Sequence, residues 1–462
     1  MKKRYFRYGL LGLLAAFLLY MIIGGAVVPL FRPESVPAPY VDINHVGTDS
    51  ERVLCIDDNE QALLWRLRVI ELAKENLIFT TFNFQDDESG KDIMAALLNA
   101  AEHGVHVRMV VDGFTVFTSL RSSQCFAALS QNPNVEIRIY NPVNLMMPWK
   151  LNYRMHDKYI VADDVAYILG GRNTHNLSLG DYQENKDVDR DILVYGTRPD
   201  PDSSLNQVKD YFEDIWNLPE VKPVQEKRSQ PEGLKQLRER YESLRERYPE
   251  AYAPIDWQET TYPSNGIRLI HNPVEAKNKP PMLWETLMDM MSQGERSVVQ
   301  TPYMICNKRM YTDLYGLRKN EEGPRIVLNS VETGANLCGC VDYLNQKKNI
   351  LNTGMEVYEY VGSHSSHAKT VLIDDSISVV GSFNFDMRSV YLDTETMLVI
   401  DSPELTAHLH EQIGEHMDSS RNLLPDGTCR YGPHYEEVKP GAIKMAFYHL
   451  MRLVVLPFRH LL

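Results

Sequence analysis

The chain has 462 residues, enough for two or three domains with a large buried core. Hydrophobic residues make up 44% of it, as in an ordinary globular protein, and the formal net charge is -14. This acidic balance argues against a protein that coats nucleic acid, but it allows a small basic pocket for one phosphate.

The N-terminus has the pattern of a membrane anchor. Four basic residues among the first seven precede an apolar run over residues 9–31, which is long enough to cross a bilayer as a helix. A cleavable signal peptide shares the basic start, but this run is long for one and no clear A-x-A site follows it. We therefore predict an uncleaved anchor over 1–31, with its N-terminus in the cytoplasm and the rest of the chain outside.

The rest of the chain divides into five stretches. Residues 32–50 are Pro-rich and polar, which indicates a linker. The stretches 51–222 and 263–425 repeat each other, and between them lies a charged connection, 223–262, whose mixed-sign charges predict a solvated helix or helical hairpin. The tail, 426–462, ends in an apolar segment with scattered basic residues. Two interpretations are open for this segment, an interfacial amphipathic helix and packing on the rest of the protein.

The two repeats share their order of predicted elements. Each begins with a short strand, RVLCI or IRLI, and continues with a helix that contains a Leu-Trp pair. The strands LIFTTFNF and SVVQTPYM follow, and then GVHVRMVV matches GPRIVL and VEIRIY matches MEVYEY. Strands that alternate with helices predict an α/β sheet in each half.

After the matched strands, each half carries the pattern HxKxxxxD, six further residues and G[GS]xN. The first copy contains His156, Lys158, Asp163 and Asn173, and the second contains His367, Lys369, Asp374, Ser382 and Asn384. Because the pattern occurs at equivalent places in a repeat, chance does not explain it.

These residue types suit the handling of one phosphate group. Lysine brings positive charge with donors and no acceptor. If HxK lies in a strand, its His and Lys share one face, so two such strands bring two imidazoles and two ammoniums around one small volume. Asn173, Ser382 and Asn384 would add neutral donors to the phosphate oxygens, and the glycines would let the backbone approach closely.

The two histidines can divide the labour of phosphoryl transfer. One neutral imidazole attacks phosphorus to form a phosphohistidine, and the other, protonated, gives its proton to the leaving alcohol and then deprotonates the incoming one. A usual pKa of about 6.5 makes both states accessible at neutral pH. The lysines and asparagines stabilise the developing charge, so we expect neither a metal nor another cofactor.

A catalytic histidine needs a carboxylate that fixes its tautomer and orientation. Each half offers one candidate just before its last matched strand, so we assign Asp189 to His156 and Glu395 to His367. A surface carboxylate at a strand edge is the alternative for both. The rivals for the first role are Glu184 and Asp191.

The aspartates of the two motifs, Asp163 and Asp374, stand at predicted strand ends before a turn. Such a carboxylate commonly accepts hydrogen bonds from turn backbone. This structural role is favoured over direct chemistry, but we keep both as candidates.

The paired HxKxxxxD motifs resemble the phospholipase D superfamily over about residues 52–420. The segment GSFNFDMRSVYLDTE is similar to the second motif of bacterial cardiolipin synthases, which typically continue GSxNxDxRS and NTE. The GGRN of the first motif and the TPYM strand resemble the shorter, single-anchor members of that family. This resemblance implies two pseudo-symmetric α/β halves that share one active site, behind an N-terminal transmembrane helix, and catalysis without metal.

By the same resemblance the chain is a phosphatidyltransferase that acts on phospholipids at a membrane. A histidine would attack the phosphorus of the donor lipid and expel its head group, and a hydroxyl of phosphatidylglycerol would accept the phosphatidyl group to give cardiolipin. In related enzymes the N-terminal histidine is usually the nucleophile, which assigns this role to His156 and the acid/base role to His367.

Two other functions compete with phosphatidyl transfer. A phospholipase D hydrolase would use water and release phosphatidic acid, and a nuclease or a non-catalytic binding protein is less favoured because of the anchor, the acidic charge and the intact motifs. Asp393 and Met387 stand where Asn and Pro are common in the family. The stretches 174–187 and 329–340 also depart from it, and such loops could set the acceptor. Transfer against hydrolysis, the donor lipid and the oligomeric state therefore stay open.

Overall fold

The computed structural model describes residues 2–33, 35–224, 229–319, 323–424 and 426–462. It contains two α/β halves and an N-terminal helix, α1 (Lys2–Ile22). The stretch Tyr5–Leu30 is long and apolar enough to cross a bilayer, a criterion that a signal sequence near an N-terminus also meets. Most of its apolar side chains are exposed, so they contribute little to the protein core.

The first half is built on a mixed sheet. Its strands are β1 (Glu51–Ile56), β2 (Asn76–Thr81), β3 (His106–Asp112), β4 (Val135–Tyr140), β5 (Tyr159–Ala162), β6 (Ala166–Gly170), β8 (Asp191–Gly196), β9 (Val221–Pro223) and β10 (Tyr262–Pro263), with the short β7 (Asp187–Val188) outside the sheet. Their order is β10-β1-β8-β6-β5-β2-β3-β4-β9, and only β2, β3 and β4 run parallel to one another. Its helices are α2 (Asn59–Leu72), α3 (Glu88–Glu102), α4 (Gly113–Thr115), α5 (Gln124–Leu129) and α6 (Ser204–Trp216).

The charged connection contains two helices, α7 (Pro231–Arg247) and α8 (Trp257–Thr260). Along α7 one residue per turn is buried, and these residues form a stripe that packs against α3 and α5: Gly233, Leu237, Tyr241 and Leu244. The predicted helix is present, but only its opposite, charged face is solvated.

The second half repeats the first. Its strands are β11 (Gly266–His271), β12 (Ser297–Gln300), β14 (Arg325–Asn329), β15 (Glu356–Tyr360), β17 (Thr370–Ile373), β18 (Ile377–Gly381), β20 (Thr396–Asp401), β21 (Ser420–Leu423) and β22 (Cys429–Tyr431), with the short β13 (Met304–Ile305), β16 (Ser365–Ser366) and β19 (Phe385–Asp386) outside the sheet. The order β11-β20-β18-β17-β12-β14-β15-β21-β22 matches the first sheet strand for strand from β1 to β9. Its helices are α9 (Met282–Gln293), α10 (Lys308–Gly316), α11 (Leu337–Leu351), α12 (Met387–Tyr391) and α13 (Pro403–Asp418).

The two halves share one hydrophobic core. Val161 of β5 and Phe212 of α6 belong to the same buried cluster as Ile267 of β11 and Trp284 of α9. A second cluster fills the space between the other face of the first sheet and the helices α2, α3, α5 and α7. The two predicted α/β halves are thus confirmed, and they pack as one body.

The tail ends in helix α14 (Ala442–Val455), which packs against α11 on one side. Tyr448 and Val455 are buried there, whereas the opposite face carries exposed apolar side chains: Ile443, Phe447, Leu450, Leu453 and Val454. All six cysteines of the chain are free thiols.

Candidate active site

Each HxK segment lies directly before a central strand, β5 or β17, rather than inside it. The ammonium of each lysine nevertheless folds back to donate a hydrogen bond to the carbonyl of its own histidine, in Lys158 as in Lys369. Both lysines are buried. Two lysine amine groups are therefore held beside the histidines and out of solvent.

The backbone of each HxK segment pairs with the other half. Met155 bridges to Thr394, and the amide of His156 donates to the carbonyl of Thr394 at 3.3 Å. In the second copy β16 pairs with β7, and the amide of His367 donates to the carbonyl of Val188 at 2.6 Å. In both cases the backbone amide of the histidine is hydrogen-bonded to a residue of the opposite half. That residue immediately precedes a carboxylate in the sequence.

This exchange crosses the histidine–carboxylate pairs. Nδ1 of His156 lies 3.0 Å and 3.1 Å from the two carboxylate oxygens of Glu395, and Nδ1 of His367 lies 2.6 Å from Oδ2 of Asp189. The assignment of Asp189 to His156 and of Glu395 to His367 is wrong, because the strand register places each carboxylate beside the histidine of the other half. Both carboxylates do contact a catalytic-motif histidine, and Nε2 of each ring has no hydrogen-bond partner among the described residues.

The rivals for this role lie elsewhere. Glu184 is exposed, and Asp191 forms ion pairs with Arg66 at 2.9 Å and Arg172 at 3.2 Å. Neither makes a hydrogen bond or ion pair with a histidine of the two motifs within the described ranges.

The two histidines differ in their electrostatic surroundings. Burial, and then the charges of Lys158 and Lys369, hold the pKa of His156 well below its usual value. Burial also raises the pKa of its partner Glu395 well above the usual range. For Asp189 the charges of His367 and Lys369 outweigh the effect of burial and lower its pKa. Burial therefore favours the neutral imidazole at His156, whereas His367 lies against an ionised carboxylate.

Serine side chains hold Glu395 in place. Ser382 donates a hydrogen bond to it, and so does Ser389 at 2.6 Å. Ser382 is fully buried, and its hydroxyl is engaged by Glu395 and by the backbone of Thr396. The prediction that Ser382 binds phosphate is therefore wrong. Its hydroxyl and that of Ser389 instead position the carboxylate of Glu395. Sequence analysis missed Ser389, although it belongs to the same GSFNFDMRS segment.

Asn173 and Asn384 occupy equivalent places after β6 and β18. Oδ1 of Asn173 accepts a hydrogen bond from the amide of Asn83 at 3.3 Å, which leaves its side-chain nitrogen without a partner among the described residues. Oδ1 of Asn384 is buried and likewise has no partner in the described part of the chain. Their phosphate-binding role stays a prediction, which the free donor nitrogen of Asn173 favours but the unpaired Oδ1 of Asn384, an acceptor, does not.

Asp163 and Asp374 lie at the far ends of β5 and β17 from the histidines. Both have positive φ angles, 48° and 53°, and both carboxylates accept backbone amides of the loop that precedes the neighbouring strand. Asp163 accepts from Asn76 at 2.6 Å, and Asp374 accepts from Arg296 at 2.8 Å. A strand of four residues separates each aspartate from the HxK segment of its motif. The structural role therefore holds, and the candidate catalytic role does not.

The comparisons with known proteins agree with this geometry. Residues 67–216 and 287–417, more than half of the chain, match the family described as "Cardiolipin synthase, PLD-like domain". The chain belongs to this family. The resemblance to the phospholipase D superfamily is thereby confirmed.

Individual relatives of this cardiolipin synthase family member are distant. Cardiolipin synthase C of Escherichia coli K12 is 28% identical, over 76% of this chain and 81% of that protein. Cardiolipin synthase B of Salmonella typhi is 24% identical, over 79% and 80%. The crystal structure of phosphatidylserine synthase from Haemophilus influenzae Rd KW20 has a TM-score of 0.62 at 15% identity and covers 92% of this chain and 97% of that one. This last likeness concerns the fold alone.

Two further residues of this family member support the site without a signal in its motifs. The centroid of the Phe82 ring lies 5.0 Å from that of His156 and 5.3 Å from Nζ of Lys158. Arg190, next to Asp189, joins the halves by donating to Asp57 at 2.8 Å and to Gln300 and Thr370 at 2.9 Å. The contacts of Arg190 span more than a hundred residues, so no local pattern could reveal them.

Among the described residues there is one group of potential metal ligands, and it contains neither histidine of the two motifs. The ligand atoms of Cys55, Asp57 and His408 lie within 4.8 Å of one another. The guanidinium of Arg190 already neutralises Asp57, and burial raises the pKa of Cys55 well above its usual value. A protonated thiol and a resident cation suit a metal ion poorly.

The turn role of Asp163 predicts a change in stability rather than in chemistry. Asp163→Ala removes the carboxylate that holds the backbone of residues 74–76 and places alanine at a positive φ, so we expect a loss of about 2–4 kcal/mol in the free energy of unfolding. The specific activity of the folded fraction should stay within about twofold. Denaturant unfolding and a lipid assay check this, with the exposed neighbour Asp164→Ala as control. A well-folded but inactive Asp163→Ala would restore the aspartate to the catalytic residues.

Lys158 predicts how activity depends on pH. Burial lowers its pKa to about 7, so in the free enzyme its positive charge is present at lower pH and is lost as pH rises through this value. Because that charge balances the substrate phosphate, kcat/KM should fall by up to about tenfold per pH unit above about 7. A pH–rate profile tests this. In Lys158→Arg, whose guanidinium stays charged, the falling limb should move to higher pH, and an unmoved limb would assign it to another group.

Proposed function

We propose that this protein is a phosphatidyltransferase of the cardiolipin synthase type, which transfers a phosphatidyl group from a donor phospholipid to phosphatidylglycerol. The observation that carries the proposal is the pair of crossed contacts, His156 with Glu395 and His367 with Asp189. They fix both Nδ1 atoms and leave both Nε2 atoms for one phosphate. Family membership and the relatives called cardiolipin synthase support a phospholipid substrate.

In the first step, Nε2 of His156 attacks the phosphorus of the donor. A nitrogen–phosphorus bond forms, and the bond from phosphorus to the head-group oxygen breaks. Its low pKa keeps His156 neutral, as a nucleophile must be, while His367 beside Asp189 gives its proton to the leaving oxygen. The products are a phosphatidyl-histidine enzyme and the free head-group alcohol.

In the second step, His367 takes the proton from a hydroxyl of phosphatidylglycerol. The freed oxygen attacks phosphorus, the bond to His156 breaks, and the neutral imidazole is restored with cardiolipin as product. If water enters instead, the product is phosphatidic acid. Through both steps, side chains of the chain itself offset the charge on the phosphoryl oxygens. These are Lys158, Lys369 and the amide groups of the asparagines.

We further propose that the enzyme is anchored by α1, with the N-terminus in the cytoplasm and the catalytic body on the outer side. The basic residues that precede the apolar run support this orientation. The exposed apolar face of α14 would rest in the interface of the same bilayer. His460, after α14, contacts the carbonyl of Ala26 at 2.6 Å, so the C-terminal end of the tail adjoins the end of the apolar stretch.

The product of the reaction tests the proposed function. Purified full-length enzyme in detergent with phosphatidylglycerol should form cardiolipin and release one glycerol per cardiolipin. His156→Ala and His367→Ala should each lower the rate by at least about a thousandfold. Mass spectrometry of the lipids and an enzymatic glycerol assay measure this. Phosphatidic acid as the sole lipid product would establish hydrolysis and overturn the transferase.

The same variants test the order of the histidines. His156→Ala should form no phosphatidyl adduct, whereas His367→Ala, given a donor with a good leaving group, should accumulate one because its breakdown lacks a base. Acid-quenched protein mass spectrometry detects the adduct. An adduct that persists in His156→Ala would exchange the two roles.

The membrane position of α14 predicts local contact with lipid. A tryptophan introduced at the exposed position Leu450 should be quenched by brominated phosphatidylcholine after reconstitution of the full chain into vesicles. The control is Lys235→Trp on the solvated face of α7, whose added fluorescence should not be quenched. Equal quenching of both, or of neither, would contradict an interfacial α14.

A further inference from the structure

A cavity opens beside His367 and has no counterpart in the chemistry described so far. Its volume is about 210 Å³, and its walls come from the loop after β14, the start of α11 and the strand pair β7–β16. Tyr303, Asn336, Asp187, Ser365 and His367 line it. The loop belongs to the stretch 329–340, which departs from the family pattern.

The carboxylate of Asp187 is the most unusual group of this cavity. Asp187 lies two residues before Asp189, so both side chains emerge on the same side of the segment, toward the site. Only its backbone pairs, with Ser365 in the β7–β16 ladder and with Leu177. Among the described residues its carboxylate has neither a hydrogen bond nor an ion pair. Asp187 is half-buried, and its unpaired oxygens are free to accept hydrogen bonds from a ligand that enters the cavity.

The equivalent position in the other half is filled by the protein itself. Asp393 lies two residues before Glu395, as Asp187 lies before Asp189. Its carboxylate forms an ion pair with Arg388 at 2.9 Å and accepts the amide of Arg154 at 3.1 Å. The pseudo-symmetry is thus broken, and the active site opens on the His367 side. The exposed fractions of the histidine side chains agree, with 23% for His367 and 11% for His156.

The direction of phosphoryl transfer gives this opening a meaning. The attacking and leaving groups lie roughly in line through phosphorus, so the alcohol leaves and arrives on the side opposite the nucleophile. With His156 as nucleophile, that side is the one beside His367, the acid/base. The cavity therefore occupies the place of the leaving and entering alcohol.

We infer that the cavity is the binding subsite for a polyol head group and that Asp187 accepts a hydrogen bond from a hydroxyl next to the reacting one. The inference rests on the proposed function, which it extends by naming the class of acceptor. A volume of about 210 Å³ corresponds to roughly seven waters, which suits the glycerol of phosphatidylglycerol and is smaller than the pockets of drug-sized ligands. Because Asp187 contacts the hydroxyl that does not react, it is a specificity residue rather than a catalytic one.

This subsite gives a physical basis for transfer over hydrolysis. A diol can bind Asp187 with one hydroxyl and present the other to His367, whereas a simple alcohol has only one hydroxyl and water has no second oxygen that could hold its reacting oxygen in place. Binding through the second hydroxyl holds the first near phosphorus and raises its effective concentration. An alcohol with one hydroxyl gains nothing from Asp187.

The test is a competition between two three-carbon alcohols. Full-length enzyme in detergent is given phosphatidylglycerol as donor together with equal concentrations of isotope-labelled glycerol and labelled 1-propanol, and the two labelled phosphatidyl products are counted. The wild type should favour glycerol. In Asp187→Asn and Asp187→Val the ratio of glycerol product to propanol product should fall by about ten- to a hundredfold, the larger fall being in Asp187→Val, which retains no acceptor.

The controls separate the possible failures. Because each ratio is measured within one sample, a misfolded fraction does not change it. Glu184→Gln, at an exposed carboxylate of the same loop, should keep the wild-type ratio. Ratios in the Asp187 variants within twofold of the wild type would overturn the subsite alone, with the transferase intact. A wild type that hydrolyses phosphatidylglycerol and labels neither product would overturn the transferase and the subsite with it.

Discussion

The backbone exchange between the halves is the constraint on which the rest of the site depends. The amide of His156 reaches Thr394 and that of His367 reaches Val188, so neither histidine is held by its own sheet alone. Each half supplies an imidazole to one pair and a carboxylate to the other. A single half could place its HxK segment at the mouth of its sheet, but it would have no carboxylate to fix the ring. The site therefore exists only where both halves meet.

Duplication gave two similar frameworks, and the differences between them give the two histidines separate roles. Glu395 is fully buried and held by two serines, whereas Asp189 lies near His367 and Lys369 and stays ionised. One side is closed by an ion pair of the chain, and the other side has an open cavity. Equal motifs thus give an unequal pair, as a reaction with distinct nucleophile and acid/base requires.

Much of this arrangement could be predicted from the sequence. The repeat, the order of its strands and helices along the chain and the two HxK segments follow from local patterns, because alternation and β-branched runs are written in contiguous residues. The partners of Asp189 and Glu395 could not be predicted. These contacts depend on the register between segments about 200 residues apart. Because each histidine and a carboxylate lie close together in the sequence of the same half, the sequence suggested pairs within each half. The predicted role of Ser382 was wrong for a similar reason, since the sequence shows a hydroxyl but not the carboxylate with which it forms a hydrogen bond. The contacts of Arg190 lay equally beyond any local signal.

The shared hydrophobic core has a consequence for how the chain is made. Val161 and Phe212 belong to a cluster that is completed by β11 and α9, which leave the ribosome later. Until then, this apolar side of the first sheet is covered only in part, by α6, although its other side is already closed by its own helices. An incomplete chain that ends before the second half therefore exposes part of this hydrophobic surface, which makes it more prone to aggregation than the finished protein.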